Sequence, residues 1–295
     1  MRRRAVMAAW VLTAGLALAE TAGCNWLNLR GRDDHRLVPP QQVERIQQIS
    51  ERAQAAIDRG DYEHARADLL QLVDEEPESP EALQRLGTVS MLEGRYAEAE
   101  ACFHAALARD RDYVEAILGL GQVEAERGDT AMALKRFETA ISIDPRRPKS
   151  YYLLGRAREA VGQPEEALAS YFRALEFDAN DAQSIVRIAA IQLGRSQPDQ
   201  ALSRLDQAVE LTPNDGDAHA LRGLAHWKLH HIPEAIADLR AAAQRLPNRP
   251  DIYYNLALVL EADHKKADAR SAAEQALRLA PTDAAVRQLS ERLRR

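Results

Sequence analysis

The sequence predicts an all-α chain: an α-solenoid of seven 34-residue helix-turn-helix units, closed by a C-terminal capping helix. Three columns of residues predict it. Alanine recurs at every thirty-fourth position, as Ala65, Ala99, Ala133, Ala167, Ala201, Ala235 and Ala269. Proline keeps the same step at Pro77, Pro145, Pro213, Pro247 and Pro281, with Arg111 and Ala179 in the two remaining places. A third column is small throughout: Ala53, Gly87, Gly121, Gly155, Ala189, Gly223 and Ala257. A fixed period of this length marks stacked units, none of which can bury its apolar face alone. No strand-like alternation interrupts the pattern.

The first forty residues lie outside the repeat. Arg2, Arg3 and Arg4 precede an uncharged, apolar run of fifteen residues from Ala5 to Ala19. That is the length of a secretory h-region, whereas a membrane-spanning helix needs about 20 residues. Residues 1–23 are therefore expected to be a signal peptide. Two processing sites compete. Ala17-Leu18-Ala19 fits a general signal-peptidase cut before Glu20, and Thr21-Ala22-Gly23-Cys24 resembles the bacterial lipoprotein box. That resemblance implies a lipid on Cys24, and it is the reading we prefer. Cleavage before Glu20 would instead give a secreted or periplasmic soluble protein, and no cleavage at all an uncleaved anchor. Residues 24–40 read as a flexible tether, with Trp26 suited to a membrane interface. Asn25, standing where an aspartate would mark inner-membrane retention in lipoproteins, leans toward the outer membrane by the same resemblance.

The solenoid is expected over 41–283, with units starting at 46, 80, 114, 148, 182, 216 and 250. In the second unit Leu83, Leu86, Gly87 and Met91 share one face of a first helix. Gly94 breaks that helix, as Gly60, Gly128 and Gly162 do in their units, because glycine tolerates the left-handed backbone at a helix end. A second helix carries Ala99, Phe103, Ala106 and Leu107 on its face, and proline at the unit end stops it. The small columns let the two helices close toward the lower end of the usual 8–10 Å spacing. Large flanking residues (Leu86, Leu120, Leu154, Phe103, Phe137, Tyr171) fill the remaining space. Ala133→Leu or Ala167→Leu is therefore expected to overpack the contact and cost roughly 1–3 kcal/mol, read as a lowered melting temperature.

Leu86, Gly87, Ala99, Phe103, Ala106 and Pro145 together resemble the small/large pattern of the tetratricopeptide repeat over residues 46–283. The resemblance implies a right-handed superhelix whose first helices line a concave side, and it implies partner-protein binding there. The family's first aromatic position holds Leu83, Ile117, Tyr151 and His219, and its second holds Ser90, Glu124, Arg158 and His226. Residues 284–295 form the expected capping helix, with Val286, Leu289 and Leu293 turned inward. Atypical end units are usual where one face meets water.

Charge and motifs exclude several functions. The net charge is −6, and loss of residues 1–23 would remove three arginines and Glu20, leaving the rest more acidic still. Such a chain lacks the basic surface that nucleic-acid backbones require. Cys102 beside Phe103 reads as a small buried hydrophobe. The sequence contains no phosphate loop, no nucleophile elbow and no His-Glu-x-x-His helix. His219, His226, His230 and His231 are the nearest approach to a metal set, with His226 and His230 four apart on one helix. Two of them occupy aromatic packing positions, so we expect packing rather than metal binding. Glu75/Glu76 and Glu165/Glu166 lie at helix ends or starts, where they complement helix dipoles or face solvent.

The partner site is expected in the groove. By the resemblance, the second, fifth, ninth and twelfth residues of each unit face inward. The fourth to seventh units then present Lys149, Tyr152, Arg156, Val186, Leu193, Leu224, Trp227, Tyr254 and Leu258. Aromatic and arginine residues dominate interface energetics. The lysine/asparagine clamp that some repeat proteins use for chaperone tails is missing, since Ser50, Gln84, Leu118, Gln54, Thr88 and Gln122 stand at its positions. The asparagine ladder of glycosyltransferase-linked arrays is reduced to Asn255. The expected function is a non-catalytic interaction scaffold, without cofactor or small-molecule substrate, in the cell envelope and in envelope, pilus or secretion assembly. The alternative is a subunit of a polysaccharide-export or peptidoglycan-remodelling enzyme system.

Overall fold

A computed structural model describes residues 39–294. The chain divides into two units, Met1–Gln48 and Ile49–Arg295. Of the first, the described part is the beginning of helix α1 (Pro40–Asp58). The second holds the rest of α1 and then α2 (Tyr62–Glu75), α3 (Pro80–Leu92), α4 (Tyr96–Arg109), α5 (Val114–Glu126), α6 (Thr130–Ile143), α7 (Pro148–Ala160) and α8 (Pro164–Phe177). It continues through α9 (Ala182–Gly194), α10 (Pro198–Leu211), α11 (Gly216–Lys228), α12 (Ile232–Arg245), α13 (Pro250–Ala262), α14 (Lys266–Leu279) and α15 (Ala284–Arg294). No strand occurs among the described residues. From α3 to α14 each helix packs on its pair mate, and from α2 onward each second helix packs on the first helix of the next pair. This is an α-solenoid. The expected signal peptide and most of the expected tether, Cys24 included, lie outside the described residues. No described helix is long and apolar enough to cross a membrane.

The columns have the expected packing role. All seven alanines of the first column are fully buried. A Cβ built on Gly87 would lie 2.8 Å from the Phe103 ring, one on Gly121 2.6 Å from Phe137, and one on Gly155 2.6 Å from Tyr171. Each aromatic of the second helix thus rests on the bare backbone of its own first helix.

Helix ends follow two rules, one visible in the sequence and one not. Pro77, Pro145, Pro213, Pro247 and Pro281 all stand two residues beyond a second helix. Yet α4 and α8 stop at the same place, where Arg111 and Ala179 replace proline. There Asp110 and Asp178 accept the backbone amides of Asp112 and Asn180, at 3.0 Å in each case. A side chain that hydrogen-bonds two residues on forms its own turn and competes with the helix.

The breaks between helices of a pair have positive φ at Gly60, Gly94, Gly128 and Gly162, and the same step continues at Ser196 (φ 58), His230 (φ 62) and His264 (φ 59). An L side chain in this region costs about 1–2 kcal/mol, of which the flexibility of an unfolded glycine returns part. The exposed His264→Gly substitution is expected to stabilise the chain by roughly 0.5–1 kcal/mol in urea unfolding.

Candidate functional site

Consecutive first helices approach one another along the array: α3 with α5, α5 with α7, α9 with α11, and α11 with α13. No second helix comes as close to the next second helix. In a stack of pairs, the row whose members touch is the inner row. The inner side chains of α7, α9, α11 and α13 therefore form the candidate site.

The structure sorts the expected groove residues into three groups. Lys149 and Arg156 are exposed on α7. Tyr152, Leu224, Trp227, Tyr254 and Leu258 are half-buried, with part of each side chain in the core and part at the surface. Trp227, Tyr254 and Leu258 rest on the core formed by α12, α13 and α14, and Leu224 rests on the one holding Leu205 and Ala225. Val186 and Leu193 are the correction: they are only 6% and 4% exposed and offer no surface to a partner. Val186 packs with Ala208 and Ala218, and Leu193 with Leu205 and Ala225. The close approach of α11 to α9 covers these positions, which a fixed count along one helix cannot register.

Between α7 and α9 the backbones stand farther apart than at the four close contacts just named. Large polar side chains occupy the space. Tyr152 stacks at a tilt on Tyr171, ring centroids 6.0 Å apart. Arg187 of α9 reaches back to pair with Glu159 of α7. Burial is the main force lowering the Arg187 pKa, and the Arg156 charge adds to it. Burial likewise raises the Tyr152 hydroxyl, while Arg156 and Arg187 pull it the other way. Arg156, Arg187 and Tyr152 are thus close enough to feel one another. Arg187 sits at the sixth place of its unit, outside the inward positions counted from the sequence, and for that reason the sequence reading missed it.

The histidines serve packing and turns. His219 is buried. Its Nδ1 lies 2.9 Å from Asp238 Oδ1 and its Nε2 3.1 Å from the Pro213 carbonyl. Arg222 donates to both carboxylate oxygens of Asp238, at 2.8 and 2.7 Å. His226 and His231 meet Nδ1 to Nδ1 at 3.3 Å, as donor and acceptor of one hydrogen bond. His230 is the left-handed turn residue. Among the described residues no group of three or more histidine, cysteine or carboxylate side chains converges as metal ligands would. Cys102 is half-buried, and burial first of all raises its thiol pKa.

Family models agree with this geometry. One described as a tetratricopeptide repeat matches residues 56–122 and 124–190, and a second of the same description matches 187–250 and 221–284. No curated protein matches the chain. Among solved structures, the APC/C hetero-tetramer Cut9-Hcn1 is similar at 17% identity and a TM-score of 0.71, over 85% of this chain and 52% of that one. The chain thus spans about half the length of that relative. PilF of Pseudomonas aeruginosa matches at 17% identity and a TM-score of 0.66, over 73% of this chain and 98% of its own. YrrB, described as a repeat protein with an unusual peptide-binding site, matches at 19% identity and a TM-score of 0.50, over 64% of this chain and 97% of its own. At these identities the likeness is one of fold.

Proposed function

The chain belongs to the tetratricopeptide repeat family, and we propose that it is an exported, lipid-anchored scaffold that binds a segment of a partner protein along its row of first helices. The family and fold support protein–protein interaction as the general role. One observation carries the location of the site: Trp227, Tyr254 and Leu258 are half-buried on one shared core of the inner row, and Leu224 and Tyr152 are half-buried on α11 and α7 of the same row. A side chain held by the core yet open on one edge is preorganised, so less ordering is needed on binding. Aromatic residues of this kind are the usual interface anchors. YrrB, similar in fold, is described as binding peptide, which is consistent with the same use of the array. The export part of the proposal rests on Arg2–Arg4, the apolar run after them and the Thr21–Cys24 box.

Two experiments test it. A photoreactive residue in place of Trp227 is expected to crosslink a partner in envelope membranes, while one in place of the exposed outer residue Phe172 is not. Crosslinks from Phe172 and none from Trp227 would move the site to the other face. Intact-mass measurement of the membrane-extracted protein is expected to show a diacylglycerol on Cys24. An unmodified chain beginning at Glu20 would remove the anchor.

A further inference from the structure

We propose that the inner surface over α7 and α9 binds an aspartate or glutamate side chain of the bound segment through Arg156 and Arg187, while an apolar residue of the same segment seats on Leu224 and Trp227. This rests on the reading of the inner row as the binding face, and it adds the chemistry of the occupant.

The charge arrangement carries the argument. The protein as a whole is acidic, at −6. Its inner row nevertheless gathers Lys149, Arg156 and Arg187 on the fourth and fifth pairs. The carboxylates around them each have a partner of their own, and Glu159 also keeps one buried oxygen, Oε1, without one. Glu159 is paired with Arg187, Asp181 accepts the Ser184 hydroxyl at 2.5 Å, and Asp217 is paired with Arg249 at 3.1 Å. No carboxylate among the described residues lies within ion-pair distance of Lys149 or Arg156. Arg187 uses one terminal nitrogen on Glu159, and its Nε has no hydrogen-bond partner. Two guanidinium groups on one face, Arg156 exposed and the Arg187 side chain 42% exposed, match a planar carboxylate acceptor.

Spacing ties the acidic residue to an apolar one. Arg156 belongs to the fourth pair and Trp227 to the sixth, two helix spacings along the row. Helices in contact stand about 8–10 Å apart and the α7–α9 step is wider, so the distance is at least about 16–20 Å. An extended chain covers about 3.3–3.6 Å per residue, so the two anchors should stand at least about five residues apart. A nucleic-acid strand would carry its charge evenly along that length. The face instead turns from basic to apolar, which fits a peptide with one acidic patch followed by bulky apolar side chains.

The test is a selection of random twelve-residue peptides, displayed on phage, against the purified full chain, followed by titration of individual synthetic peptides. Enriched peptides are expected to carry Asp or Glu at least about five residues from Trp, Phe, Tyr or Leu. Changing that acid to its amide should weaken binding about tenfold or more at low salt, and added salt should narrow the difference. In Arg156→Gln the acid and amide peptides should bind more nearly alike, and in the double variant with Arg187→Gln equally. Arg156 is exposed, so its single replacement keeps the fold, and a thermal melt checks the double variant. Enriched peptides without acidic residues, still competing with a crosslinker at Trp227, would overturn the acidic occupant and leave the binding face standing. Recovery of no peptide that competes at Trp227 would overturn both.

Discussion

Replacing Phe103 with alanine is expected to destabilise the array by about 4 kcal/mol, measured as the loss of unfolding free energy in urea. The ring is fully buried. It lies where a Cβ on Gly87 or on Gly119 would stand, at 2.8 and 2.5 Å, so it fills the contact within the second pair and the contact with the third at once. Repeat arrays are held by such nearest-neighbour interfaces, and removing one uncouples the two sides. The loss should therefore appear with a broadened or two-step transition rather than a simple shift. Phe103→Leu conserves most of the volume and should cost less than about 1.5 kcal/mol. A loss below 1 kcal/mol for the alanine variant would mean that neighbouring side chains collapse into the gap, contrary to the rigid fit described here.

Removing the carboxylate of Asp238 is expected to cost about 3 kcal/mol, because Asp238→Ala leaves Arg222 and the buried His219 without their shared partner. Burial by itself would raise the pKa of Asp238. The hydrogen bonds from Arg222 and His219 outweigh it, and the group is held below its ordinary 3.8. A carboxylate with a depressed folded pKa stabilises the fold above its unfolded pKa and loses that contribution as pH falls through the folded value. Wild-type stability should therefore fall as pH drops below about 3.8, and Asp238→Asn should show a shallower decline over the same range. Equal slopes for the two proteins would sink this account of the network.

Some of this was legible before any coordinates. The period gave the number of helices, their pairing and the buried alanine column, because a helix face repeats with the residues that make it. The left-handed break was legible only where glycine marked it. Ser196, His230 and His264 adopt the same backbone without the residue type that advertises it. Proline was read as the stop of each second helix, but Asp110 and Asp178 stop theirs by hydrogen-bonding their own turn. In the candidate groove, counting along one helix did not register that Val186 is buried, and it passed over Arg187.

The sequence by itself determined that this chain folds as a repeated array of helix pairs, most of them small-on-large, since local periodicity and residue size are properties of each segment. Only the tertiary structure decided which inner residues remain open to a partner. That depends on how far apart neighbouring first helices stand. The separation arises from side chains 30 or so residues away, such as Glu159 and Arg187 between α7 and α9, meeting across the stack.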